Sequence, residues 1–219
     1  MLQFPLLDGE LPRRILVLGS HPDDIEIGCG ATLLSLTRTR PELEVTWVVL
    51  GAEGAREAEA RASSKAFLES AGKSTIIVHK FRDGFFPYVG AEIKGVFEEL
   101  KTLVQPDIIF THTRHDLHQD HRLVCELTWN TWRDHLILEY EIPKYDGDLG
   151  GPNVFVSVAE ELAREKTRLI LDLFESQTAK HWFDDELFIG LMRIRGMEGR
   201  SPSGYAEAFT CRKLSIGIT

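Results

Sequence analysis

The chain reads as an α/β protein, a three-layer α/β/α sandwich built on a mostly parallel sheet. Three observations predict this. Four short apolar runs, Ile15 to Gly19, Val45 to Leu50, Thr75 to His79 and Ile108 to Thr111, show little alternation, as strands buried on both faces do. Segments of helical length separate them. At 219 residues the chain fits one domain, 1–219, and no repeat, low-complexity tract or long linker divides it.

The first strand runs into His21-Pro22-Asp23-Asp24 and then a helical pattern from about Glu26 to Thr39. The second and third strands bracket a helix from about Ala55 to Ala71. The next helix, about Ala91 to Gln105, places Ile93, Val96, Phe97, Leu100 and Val104 on one face. The fourth strand leads into a histidine-rich stretch, a helix from about Asp120 to Asp134 and a strand near Ile137 to Ile142. Tyr145 to Asn153 is dense in turn formers and reads as a loop. Helices over about Ala159 to Thr178 and Asp185 to Met197, with a strand near Tyr205 to Arg212, complete the chain. Alternating β and α elements imply right-handed crossovers and helices on both sheet faces, a Rossmann-like arrangement.

Lys and Arg number 25 against 34 Asp and Glu, a net charge of −9 that argues against a nucleic-acid partner. Cys29, Cys125 and Cys211 are too few and too scattered for a disulfide framework or a Cys-x-x-Cys knuckle. The N-terminal MLQFPLLDGELPRR has no basic stretch leading into an apolar one, and no run approaches the ~18 apolar residues of a membrane span. The expectation is a cytoplasmic protein without membrane insertion, and a homo-oligomer is compatible with it.

The chemistry concentrates in two polar clusters at the ends of the first and fourth strands, where open parallel sheets place their sites. His21 and Asp24 could both face one ion, with Asp23 beside it as a carboxylate free to take a proton from bound water. The alternative is that Asp23 and Asp24 cap the following helix. In the second cluster His118 and His121 are spaced i, i+3, with Asp120 between them as a hydrogen-bonding partner. His112 and His115 complete four histidines in ten residues; the former suits packing beside the site, the latter a solvated loop. Imidazole and carboxylate suit several divalent metals, Zn2+ and Fe2+ among them.

HPDD after a strand, then Pro106-Asp107-Ile108-Ile109-Phe110-Thr111-His112 leading into HQDH, resembles the LmbE-like (PIG-L) zinc-dependent de-N-acetylases of N-acetylglucosamine conjugates. Arg56 and Glu59 resemble the family's Arg-x-x-Glu, Asp83-Gly84 its post-strand turn, Glu175-Ser176-Gln177 the end of its long helix, and Tyr205 to Phe209 its C-terminal strand. The resemblance spans about residues 14 to 212. It implies His21, Asp24 and His121 as zinc ligands, Asp23 as general base, His118 as the group steadying the tetrahedral intermediate, and Asp120 beside it. It also implies a small amino-sugar conjugate as substrate. The segments Ile142 to Asp148 and Arg193 to Glu198 do not map onto the sugar-binding residues of better-known branches.

Arg56, Arg195 and Glu207 are the candidate substrate-binding residues. Against this, Arg56 could pair with Glu59 on a helix surface, Arg195 could snorkel from its helix, and Glu207 could face solvent on an edge strand. Trp129, Trp132, Trp182 and Phe183 read as packing rather than sugar platforms. Two rival classes stand beside the hydrolase. A nucleotide-binding protein is disfavoured because Gly19, Gly28 and Gly30 miss the Gly-x-Gly-x-x-Gly spacing. A metal protein without catalysis leaves Asp23 without a task.

Overall fold

The computed structural model describes residues 12–215. Residues 1–11, where the N-terminal reading falls, and 216–219, the end of the expected domain, lie outside the described residues. In chain order the elements are β1 (Arg14–Gly19), α1 (Asp24–Thr39), β2 (Glu44–Val49), α2 (Ala55–Phe67), β3 (Lys73–Val78), α3 (Gly90–Leu103), β4 (Ile108–His112), α4 (Gln119–Thr131), β5 (Leu136–Tyr140), β6 (Val154–Val158), α5 (Glu160–Leu173), α6 (Asp185–Gly199) and β7 (Tyr205–Thr210).

The strands form one seven-stranded sheet in the order β3-β2-β1-β4-β5-β7-β6. β1 to β5 are mutually parallel, and β7 runs antiparallel to both β5 and β6. This is the expected mostly parallel α/β sandwich. On β1, Ile15 and Val17 face a core shared with α1, α2, α5 and α6, whereas Leu16 and Leu18 face one shared with α3 and α4. A strand covered on both sides needs apolar residues at every position, hence its unbroken hydrophobic run. Chain direction across the sheet reverses at β1, with β2 to one side and β4 to the other, so the β1 and β4 ends frame a crevice at the switch point. Among the described residues, no helix is long and apolar enough to cross a membrane.

Three elements depart from the sequence reading. β6 was not expected; it forms the sheet edge, where partial exposure of Val154 to Val156 leaves no continuous buried run to detect. β3 is the opposite edge and is only half buried, so its apolar run does not reflect cover on both faces. The helix expected to reach Thr178 ends at Leu173, and Phe174, at φ −113° and ψ 62°, turns the chain into a short 3-10 turn at Glu175–Gln177.

Candidate metal centre

The turn after β1 sets the first half of the site. Asp23 lies in the left-handed region at φ 91°, an uncommon conformation for a residue with a side chain. It precedes α1 yet makes no side-chain capping bond, so the helix-cap reading does not describe it. Asp24 instead folds back, its Oδ2 accepting the His21 backbone N–H at 2.7 Å. The second half comes from α4, whose preceding residue His118 accepts the Asp120 N–H on Nδ1 at 3.3 Å and whose first turn carries His121.

His21, Asp24 and His121 converge. His21 Nδ1 lies 3.2 Å from His121 Nε2 and 3.5 Å from Asp24 Oδ2, and His121 Nε2 lies 3.5 Å from Asp24 Oδ1. Ligands about 2.0–2.1 Å from a tetrahedral ion stand about 3.4 Å apart, and each pair is near that spacing, Asp24 meeting His21 through Oδ2 and His121 through Oδ1. Among the described residues, the metal-capable groupings are His21 with His118 and His121, His21 with Asp83, His118 and Asp120, and Asp24 with His112 and His121, so that His118 and His112 each complete one with two of these three residues. Both additions have other commitments. His112 Nε2 accepts the Ser20 N–H at 3.0 Å, and His118 Nδ1 accepts the Asp120 N–H.

Hydrogen bonds fix the outward nitrogens of the two histidines, as metal-binding imidazoles require. His121 Nδ1 donates to Asp116 Oδ2 at 2.9 Å, and the same oxygen takes Lys144 Nζ at 2.9 Å. His21 Nε2 faces Asp120 Oδ2 and Asp83 Oδ1, each at 3.1 Å. Asp120 also accepts the N–H groups of Gly84 at 2.7 Å and Phe86 at 3.1 Å. Its buried carboxylate is turned to His21 and to the loop after β3, with an oxygen within 4.8 Å of a His118 ring nitrogen.

Burial pushes the Asp23 carboxyl up to about 7 against the pull of Arg56, which donates to Asp23 Oδ2 at 3.3 Å and to Pro22 O at 2.7 Å. Burial works the same way on Asp24, but His121, His112 and His21 outweigh it and hold Asp24 well below the usual carboxylate range. Burial, followed by the repulsion of His121 and His21, lowers His118. A neutral His118 accepting on Nδ1 carries its proton on Nε2, where it can serve as a donor.

A cleft of about 220 Å³ opens over these groups, with Arg56, Asp83, His118, Lys144, Gln177 and Trp182 among its lining residues. Arg56 does not pair with Glu59. Arg195 and Glu207, the other two expected substrate-binding residues, do not line this cleft. Arg195 is 6% exposed and its guanidinium grips both Glu141 oxygens, at 2.6 and 2.7 Å, because α6 packs it inward instead of letting it snorkel. Glu207 is 4% exposed on an interior strand, bound to α1 and Lys166. Trp182 lines the cleft, whereas Trp132 lies in the core. His115 is exposed, as expected. Asp83, Asp116 and Lys144 were missed as site residues. An acid within the histidine-rich stretch was the one available sign for Asp116; Asp83 read only as a turn former.

The model of the PIG-L family, GlcNAc-PI de-N-acetylase, matches residues 16–132, more than half of the chain and every residue from His21 to His121 named above. An uncharacterized deacetylase, YaiS of Escherichia coli strain K12, is 31% identical over 169 residues, covering 74% of this chain and 91% of that one. Two solved structures are similar. N,N'-diacetylchitobiose deacetylase from Pyrococcus horikoshii superposes with TM-score 0.67 at 19% identity, covering 91% of this chain and 83% of that one. The 4-carboxy-2-hydroxymuconate hydratase GalB from Pseudomonas putida KT2440 gives 0.72 at 14%, covering 95% and 99%. At such identities these two establish the fold alone, and their differing reactions show why a fold does not name a chemistry.

Proposed function

The chain belongs to the PIG-L family of deacetylases, and on that premise we propose that it is a metal-dependent hydrolase removing an acyl group, acetyl above all, from a small amino-sugar conjugate. The observation that carries this reading is the buried Asp23 carboxylate, free of any capping bond beside three groups spaced for one cation. A closed structural site or a passive metal carrier has no use for it.

His21, Asp24 and His121 would hold the metal, with zinc the first candidate and iron(II) the second. A divalent ion there supplies a polarised acyl carbonyl and a water that ionises near neutral pH. Asp23 takes the proton of the attacking water. His118, through Nε2–H, donates to the oxygen on which negative charge develops. As the C–N bond breaks, Asp23 returns its proton to the departing nitrogen, so one water and one amide become a carboxylic acid and a primary amine. Arg56 donates to Asp23 and to the Pro22 carbonyl, which orients the base from the cleft wall. The free cysteines Cys29, Cys125 and Cys211 suit a reducing, cytoplasmic setting.

The test is metal analysis joined to primary-amine release from a panel of N-acetylglucosamine conjugates. Asp23→Asn should retain the metal and lose about 10²- to 10⁴-fold in kcat, while His121→Ala should lose the metal. Full turnover by Asp23→Asn removes the base assignment. A metal-loaded wild type that releases no amine from any conjugate removes the amino-sugar reading.

A further inference from the structure

α1 is not one continuous helix. Cys29 sits at φ −145°, ψ 16°, and beside this break the Ala31 N–H and Ile27 O, which an ideal helix pairs with each other, are bonded by side chains from two distant elements. Glu207 on β7 accepts the Ala31 N–H on Oε1 at 3.0 Å and the Thr32 N–H on Oε2 at 2.6 Å. Lys166 on α5 donates to Ile27 O at 2.6 Å and to Glu207 Oε1 at 2.6 Å. Lys166 is 2% exposed and Glu207 4%.

The break has a neighbour that needs it. A Cβ on Gly28 would stand 2.2 Å from the Tyr140 ring, and the Tyr140 hydroxyl donates to Leu18 O at 2.6 Å, at the end of β1. The short segment from Asp24 to Gly28 is therefore fixed on one side by the strand end and on the other by the two charges. It carries Asp24 and is entered through Asp23.

We propose that Lys166 and Glu207 are positioning residues for the metal centre: by holding α1 open at Cys29, they set the direction of its first turn and so the placement of Asp24 and Asp23. Net stability is a poor reason for this pair to exist, since buried ion pairs are often replaced by apolar residues without loss. Geometry is the better one, because no apolar pair could satisfy Ile27 O, Ala31 N–H and Thr32 N–H together. The inference rests on the metal-centre reading proposed above.

Cobalt(II) binding to the full chain tests it, read by chelator competition and by visible absorption, which reports ligand geometry, alongside thermal unfolding. Glu207→Gln, nearly isosteric, and Lys166→Met are the variants. Both should unfold cooperatively, bind cobalt about 10- to 100-fold more weakly, the range for partners that orient metal ligands, and show a changed absorption band. Wild-type affinity and spectrum in Glu207→Gln overturn the proposal, whatever happens to its unfolding temperature, and that variant decides alone if Lys166→Met does not fold. A wild-type chain that takes up no cobalt overturns the metal reading itself, and this inference with it.

Discussion

Glu59 on α2 accepts both the backbone N–H of Ser176, at 2.8 Å, and its hydroxyl, at 2.6 Å, across a sequence separation of 117 residues. Two motifs that look unrelated in the sequence, Arg-x-x-Glu and Glu-Ser-Gln, are thus one construction. Arg56 turns to the Pro22–Asp23 turn, and Glu59 clips the 3-10 turn that delivers Gln177 to the cleft.

Cutting that clip should disturb the cleft more than the metal. Glu59→Ala is expected to cost about 1 kcal/mol of stability, the usual net worth of such a bond. KM should rise severalfold, with kcat and metal content little changed. A double-mutant cycle with Ser176→Ala checks the link; strictly additive losses would show that the two residues are not coupled.

Asp116 should control metal affinity without touching the metal. Its carboxylate holds His121 Nδ1, leaving Nε2 aimed at Asp24 and His21. Asp116→Ala is expected to weaken metal binding about 10- to 100-fold, measured by competition with a chelator. Undiminished affinity would mean that His121 needs no such support, or is not a ligand.

Glu26 is expected to make stability pH-dependent. Burial pushes its carboxyl up to about 8; Ser63 donates to one oxygen, while the other has no partner among the described residues. Below the unfolded value of 4.5 both states are protonated and the group contributes nothing. Between 4.5 and about 8 the folded state retains a proton that the unfolded state releases, so stability falls as pH rises, then levels off. Glu26→Gln lacks this decline. The difference in unfolding temperature, variant minus wild type, should therefore increase from pH 5 to pH 8; a constant difference would show that Glu26 does not titrate across that range.

The order of strands and helices through β5 was legible because each buried strand announces itself by a local apolar run. The metal-capable residues were legible for a similar reason. His21 and Asp24 sit within one turn of each other, His118 and His121 within another, and short-range spacing is what a sequence displays directly. β6 was not legible, since an edge strand is half wet and its composition is mixed.

Glu207 and Arg195 show where local reading ends. Both look like surface or substrate-facing charges when only their neighbours in the chain are considered. Their partners lie elsewhere: Ala31 and Thr32, 176 and 175 residues from Glu207, and Glu141, 54 residues from Arg195. The sequence by itself determined the fold class and brought forward His21, Asp24, His118 and His121 as metal-capable side chains, because both follow from residue type and local period. Tertiary structure alone decided which charges face the cleft and which hold the frame. A buried carboxylate goes where backbone N–H groups or cations can satisfy it, and that place is set by how distant elements pack.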